Sequence, residues 1–122
     1  MTGPVRLNAL ADAAGIAPDG IASRLPAEPD PPTPFSGLTV GFVQMAEAAP
    51  HNGERHPDGD EVLWIVSGSV RVVFDDNDWD DIALGPQQGL IVPAGAWHRV
   101  EIVEPAGIVY LTPGPNNEFR FE

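Results

Sequence analysis

From Phe35 onward the chain is a succession of short apolar runs, each closed by turn residues, and this pattern leaves few folds open. The runs are Leu38–Met45, Val62–Val66, Val70–Phe74, Trp79–Leu84, Leu90–Val92, His98–Val103 and Ile108–Leu111. They are rich in Val, Ile, Phe and Trp, whose branched and aromatic side chains suit a pleated, half-buried surface. The breaks between them carry Ser67-Gly68, Asp75-Asp76-Asn77-Asp78, Gly85-Pro86, Pro93-Ala94-Gly95 and Pro105-Ala106-Gly107. Many short strands at close spacing predict an all-β sandwich or barrel. No helical pattern of roughly 10–15 residues separates them, which argues against a parallel α/β sheet.

Residues 1–34 read differently. Asn8 is placed to cap a short helix through Ala9–Ala14, ended by Gly15. Pro18, Pro26, Pro29, Pro31, Pro32 and Pro34 follow, too many for a central strand or a long helix. The expectation is an extended Pro-rich N-terminal arm over 1–34 and a single β-barrel domain over 35–122. The tail from Thr112 to Glu122 is rich in Gly, Pro and Asn, with Phe119 and Phe121 placed to fold it back.

Composition narrows the chemistry. The 122 residues make one ordinary domain with room for a real core. With no cysteine, disulfides, zinc–thiolate sites, iron–sulfur clusters and cysteine nucleophiles are all excluded. Any metal must be held by nitrogen and oxygen. The 18 acidic residues face six arginines and no lysine, a net charge of −12. Such a surface repels phosphate, so neither nucleic acid nor an anionic membrane is expected as a partner. The absence of lysine excludes Schiff-base chemistry. Leu7–Ile16 is interrupted by Asn8 and Asp12 and has no basic run before it, so no signal peptide is read there and the expected compartment is the cytoplasm. The five aspartates within Asp75–Asp81 lack the Gly and terminal Glu of a calcium-binding EF-hand loop and read as a solvated hairpin tip.

Two stretches carry the candidate chemistry. The first runs Glu54-Arg55-His56-Pro57-Asp58-Gly59-Asp60-Glu61 and on to Gly68; the second is Pro93-Ala94-Gly95-Ala96-Trp97-His98. In an extended stretch Glu54 and His56 share a face. Glu61 opens the next strand after a Pro-Asp-Gly turn, and His98 opens another after a Pro/Gly corner. If a barrel brings these strand ends to one mouth, two imidazoles and two carboxylates converge above an apolar floor. That donor set suits Fe(II), Mn(II), Ni(II) or Zn(II).

Here the sequence resembles the cupin superfamily, whose first motif is in outline Gly-x5-His-x-His-x3-4-Glu-x6-Gly and whose second is Gly-x5-Pro-x-Gly-x2-His-x3-Asn. His56-x4-Glu61-x6-Gly68 matches the end of the first, and Pro93-x-Gly95-x2-His98 the heart of the second. By its strand pattern the resemblance covers about residues 36–112. It implies a double-stranded β-helix (jelly-roll-like) barrel, commonly dimeric, with one divalent metal near its axis held by His56, Glu61 and His98. Three positions depart from the pattern. Glu54 stands where the family has its first histidine, Ile102 stands at the final Asn, and the glycine before Pro93 is displaced to Gly85 or Gly89. A glutamate as the fourth donor adds negative charge and favours harder cations. His51 is the rival donor, at an offset that needs a bulge near Gly53 to face the site.

The resemblance implies a metal-dependent enzyme on a small organic substrate, dioxygenase-like first, with isomerase or lyase chemistry behind it. The alternative is a barrel that binds a small ligand without turnover. By strand position, Gln44, Leu63, Val100 and Tyr110 are candidates for the substrate pocket. A homodimer is the expected assembly. Trp64 and Trp97 read as core or subunit-contact residues, and Arg71 and Arg99 as salt-bridge partners.

Overall fold

A computed structural model describes residues 3–27 and 33–122. Among these, every regular element is a strand: β1 (Asp12–Ile16), β2 (Ala22–Pro26), β3 (Gly37–Met45), β4 (Glu54–Arg55), β5 (Glu61–Val73), β6 (Ile82–Leu84), β7 (Gly89–Val92), β8 (Arg99–Gly114) and β9 (Glu118–Phe119). No helix among the described residues is long and apolar enough to cross a membrane. The main sheet has the order β2-β1-β3-β8-β5-β6, with β7 also on β5, and β4 pairs separately with β9. All pairings are antiparallel.

The long strands β5 and β8 form the spine. Two pairs of sequence runs that looked like separate strands are continuous, because their Gly and Pro breaks are bulges rather than turns. Glu61, Leu63 and Ile65 point inward on the first half of β5, whereas Val70 and Val72 point inward on the second. A strand of period two cannot bury both sets without an extra residue. The register against β8 shifts between Ile65 and Val70, with Gly68 at φ 74° in the bulge. Pro105 sits opposite, outside the paired register, which is where a residue without an N–H is tolerated in a sheet. The bulge therefore lets one strand serve the site at one end and the core at the other. That core comprises Leu63, Ile65, Val70, Val72, Phe74, Leu84, Val92, Ala96, Ala106 and Ile108.

The expected helix over Ala9–Ala14 is corrected. Asn8 caps only one turn: its carbonyl accepts the N–H groups of Ala11 and Asp12, and its side chain accepts that of Leu10. The chain then enters β1, which pairs with β2 and with the edge of β3. An open sheet edge offers a full row of backbone partners, and this outweighs the helix preference of a few alanines. Gly15 seals the choice, since a Cβ there would lie 2.6 Å from the Phe35 ring and 2.9 Å from Leu25. Residues 12–26 are thus part of the sheet rather than a loose arm. The prolines at 29, 31 and 32 lie outside the described residues.

Gly68 gives the first test. A Cβ there would sit 2.0 Å from the Pro105 carbonyl oxygen, on a backbone of positive φ. Gly68→Ala is expected to destabilise the protein by more than about 1 kcal/mol in urea denaturation, since left-handed strain and the clash add. An unchanged midpoint would show that the bulge does not need glycine.

Candidate metal centre

Four strand ends meet at one mouth of the barrel. β4 sets Glu54 and His56 on one face and Arg55 on the other, where Arg55 pairs with Glu118. Glu54 and His98 exchange two backbone hydrogen bonds of 2.8 and 2.9 Å, so the first and second motifs touch directly. The corner before His98 is fastened twice more: Gly95, at φ 75°, donates its N–H to the His56 carbonyl at 3.1 Å, and Ala94 donates to Asp60 Oδ1 at 2.8 Å. Glu61, the first residue of β5, points inward on the same face as Leu63.

One donor atom from each of Glu54, His56, Glu61 and His98 lies within 4.8 Å of the other three. His98 Nε2 is 3.0 Å from Glu61 Oε1 and 3.6 Å from Glu54 Oε1. His56 Nε2 is 3.1 Å from Glu61 Oε2 and 3.8 Å from Glu54 Oε1. His56, Glu61 and His98 are buried, at 3%, 3% and 2% exposure. Glu54 is the most open of the four.

The outer nitrogens of both rings are already engaged. His98 Nδ1 lies 3.0 Å from the Ala96 carbonyl, which only accepts, so Nδ1 carries the proton and Nε2 of the neutral ring presents a lone pair to the centre. His56 Nδ1 lies 2.9 Å from Asn117 Oδ1, and the same reasoning gives it the same tautomer. His56 Nε2 makes no hydrogen bond of good geometry despite its approach to Glu61, and so stands as a buried polar atom without a well-aimed partner. Donor separations of 3.0–3.8 Å are those found around one ion with bonds near 2.1 Å. The residues present are therefore compatible with a divalent metal.

Without an ion, protons serve the same role. Burial disfavours a charged His98, but the Glu54 and Glu61 carboxylates favour it more, and its pKa is pushed up to about 10. Burial likewise opposes charging of His56, and Glu61 and Glu54 outweigh it, so its pKa is raised. Burial would raise Glu61, but the two imidazoles hold it below the usual carboxylate range. Thr112 also donates its hydroxyl to Glu61 Oε2 at 2.6 Å.

His51 stands behind Glu54 rather than among the four. Its Nδ1 accepts the Gly53 N–H at 3.2 Å, its Nε2 is 3.9 Å from Glu54 Oε2, and its ring lies against Phe119. Gly53 does adopt a positive φ of 139°, but the turn carries His51 beside Glu54 instead of replacing it. Glu61 pairs with neither Arg55 nor Arg99. Arg99 is held by Asp75 and Glu101, and Asp76 by Arg120, which accounts for part of the aspartate cluster.

Beside the cluster opens a cavity of about 630 Å³ that Glu54, His56 and Glu61 line. Gln44, Leu63, Val100 and Tyr110 all line it, with Met45 and Ile108 among the other apolar walls. Trp97 faces away, as expected from its place beside His98, and stacks under the guanidinium of Arg120 at 4.0 Å. Of the two readings of Trp64, core or subunit contact, the core one does not hold, since the residue is 49% exposed on the outer face of β5.

Sequence reasoning missed Thr112 and Asn117, having placed both in the Gly/Pro/Asn-rich tail without a role at the site. The register Leu63↔Tyr110 puts Thr112 directly across from Glu61, a relation visible only once β5 and β8 are paired. Asn117 arrives because β9 pairs with β4, and two residues carry no readable strand signal.

A family model described as a cupin domain matches residues 41–112. The chain belongs to the cupin family. Solved cupins share its fold at low identity. One is a cupin-2 domain protein of Shewanella frigidimarina, 22% identical with a TM-score of 0.54, covering 63% of this chain and 71% of that one. A second is a cupin superfamily protein of Desulfitobacterium hafniense, 21% identical with a TM-score of 0.53, covering 71% and 81%. A third is an oxalate oxidase in complex with the substrate analogue glycolate, 18% identical with a TM-score of 0.54, covering 67% of this chain and 45% of that one. No curated protein sequence matches the chain.

The proton-filled cluster predicts how this cupin responds to pH when metal is withheld. The folded pKa of His98 lies above its ordinary 6.5, so its contribution to stability is present below that pH and is lost as pH rises towards 10. In EDTA, stability from urea unfolding is expected to fall between about pH 7 and 10, by at most about 1.4 kcal/mol per pH unit for each proton involved. A rise or a flat profile over that window contradicts the proton-bridged cluster.

Proposed function

We propose that this cupin holds one divalent transition metal on Glu54, His56, Glu61 and His98 and acts on a small organic molecule bound in the cavity above it. The observation that carries the proposal is the convergence of these four donors, three of which line an apolar cavity, with the outer nitrogen of each histidine held from behind. Iron, manganese, nickel and zinc all suit two imidazoles and two carboxylates. The bound ion would supply Lewis-acid polarisation of a substrate oxygen and, if it is iron or manganese, access to redox chemistry.

The chain's own residues set the rest. Thr112 fixes one oxygen of Glu61, and Asn117 and the Ala96 carbonyl fix the two rings. Leu63, Val100 and Ile108 keep bulk water from the inner wall, and the Tyr110 hydroxyl gives a polar group that can orient a ligand. A dioxygenase-like oxidoreductase is the first reaction class proposed, with isomerase or lyase chemistry next. The second reading is a ligand-binding barrel without turnover. It is favoured by one observation: Glu54 and Glu61, the carboxylates at the floor, both face the histidines, so neither is an uncommitted base.

Protein purified without added metal is expected to carry close to one equivalent of a first-row metal by elemental analysis. His56→Ala and His98→Ala should each lose most of it. Asn117→Ala, which leaves all four donors in place, should weaken metal affinity by about 10- to 100-fold, the usual effect of removing the group that orients a ligating histidine. Wild-type protein that takes up no divalent ion after anaerobic reconstitution would leave the ligand-binding barrel as the surviving reading.

The reading extends to the assembly and the compartment. Trp64, Val66 and Ile91 are exposed together on the outer face of β5 and β7, a patch suited to a second copy of the chain. A homodimer is expected in sedimentation equilibrium, with Trp64→Glu shifting it to monomer; a monomeric wild type contradicts it. The net charge of −12 argues against nucleic acid and anionic membranes as partners, and the cytoplasm is the proposed compartment.

A further inference from the structure

The charge distribution around the cavity restricts what can enter it. We propose that the cavity takes uncharged or cationic small molecules with an apolar body and discriminates against carboxylates. The inference rests on the reading of this cavity as the ligand site and names the class of ligand it accepts.

Three observations carry it. The first is the floor. Glu54 and Glu61 together bring two negative charges, enough to cancel the charge of one divalent ion. A centre with a third neutral imidazole in place of Glu54 would instead retain one positive charge for an anionic ligand. The second is the wall. Among the described residues, Arg99 is the one arginine or lysine that lines the cavity. Its guanidinium is flanked by two acids, with Nε and Nη2 donating to Asp75 at 2.7 and 3.3 Å and Nη1 to Glu101 at 2.6 Å, so its one positive charge is more than offset. An incoming carboxylate would meet a group whose net charge, with both acids ionised, is negative. His51 also lines the cavity, but it lies 3.9 Å from the Glu54 carboxylate, which offsets any charge it gains. The third is the approach. Glu47 stands on the wall in addition to the Arg99 trio, on a chain whose net charge is −12.

The remaining surface selects the body of the ligand. Leu63, Val100, Ile108 and Met45 form an apolar wall, with Gln44 and the Tyr110 hydroxyl as the neutral polar groups beside it. A cavity of about 630 Å³ accommodates a ring-sized molecule with substituents. Tyr110 stays protonated, because burial raises its pKa, and so offers a donor without charge.

The test uses three probes of one shape: benzamide, benzylamine, which is protonated at neutral pH, and benzoate. Each is titrated into metal-free and zinc-loaded full-length protein, with binding read from the backbone amide NMR shifts of Val100 and Tyr110. Zinc uptake is measured separately by elemental analysis. The expected result is that benzamide and benzylammonium bind and that benzoate binds at least about tenfold more weakly in both forms. Glu54→Gln, which keeps the side-chain shape and removes one charge, should narrow that gap by about tenfold in zinc-loaded protein, the size of one unit charge acting over about 10 Å at an effective dielectric of about 20. Glu47→Gln touches no donor and should narrow it more modestly in both forms. Benzoate binding as tightly as benzamide in either form overturns the proposal. So does the failure of all three probes to shift the cavity amides at millimolar concentration, because the apolar-bodied class would then be wrong. If zinc is not taken up, the metal assignment falls, while the comparison in metal-free protein still decides the charge rule.

Discussion

The structure is organised around one buried carboxylate. Glu61 sits 3% exposed with an imidazole against each of its oxygens, and nothing about burial alone favours that arrangement. Desolvating an acid and two rings costs several kcal/mol per charged group, and a set of well-packed apolar side chains of similar volume would generally be as stable or more so. The cluster persists only because every element around it is fixed to satisfy it. Thr112 donates from β8, Asn117 reaches His56 from beyond β8, and the Gly95 N–H ties the second motif to the His56 carbonyl. A barrel mouth that concentrates its hydrogen bonds on three titratable side chains carries a cost that packing alone does not explain.

The same constraint explains the irregularity of the spine. β5 must deliver Glu61 to the mouth and Val70 and Val72 to the core, and these positions have opposite parity along a strand. A regular strand would turn Arg71 inward and expose both valines. The bulge around Gly68, with Pro105 opposite, supplies the missing residue of offset. Site and core are thus coupled through the register of β5 against β8, so a disturbance at Gly68 is felt at both ends of the strand.

What the sequence made legible follows from which signals are local. Alternating apolar residues and turn clusters located β3, β5, β7 and β8 because burial on one face imposes period two along a strand. The pairs Glu54/His56 and Glu61/Leu63 could be placed on common faces for the same reason. Gly68 and Pro105 were readable as breaks but not as bulges, since a break and a bulge use the same residues and differ only in whether a neighbouring strand continues alongside. Ala9–Ala14 carried a helix signal of weak intrinsic strength, and the open edge of β3 overrode it. Thr112 and Asn117 act through contacts with residues 51 and 61 positions away, and no local pattern encodes such a distance.

Glu54 is where the local and the long-range readings converge. As a sequence departure it exchanges a neutral donor for an anionic one at a single position. In the folded chain that exchange falls in a mouth already lined by Glu47, beside an arginine whose charge is offset by Asp75 and Glu101. Had one free lysine or arginine faced the cavity, the added carboxylate would have been offset locally and would say little about ligands. Because the described walls offer no such cation, the charge of Glu54 bears directly on whatever enters. The low local dielectric of an apolar cavity magnifies a single charge of this kind, so one substitution among four donors can redirect ligand preference while leaving the barrel unchanged.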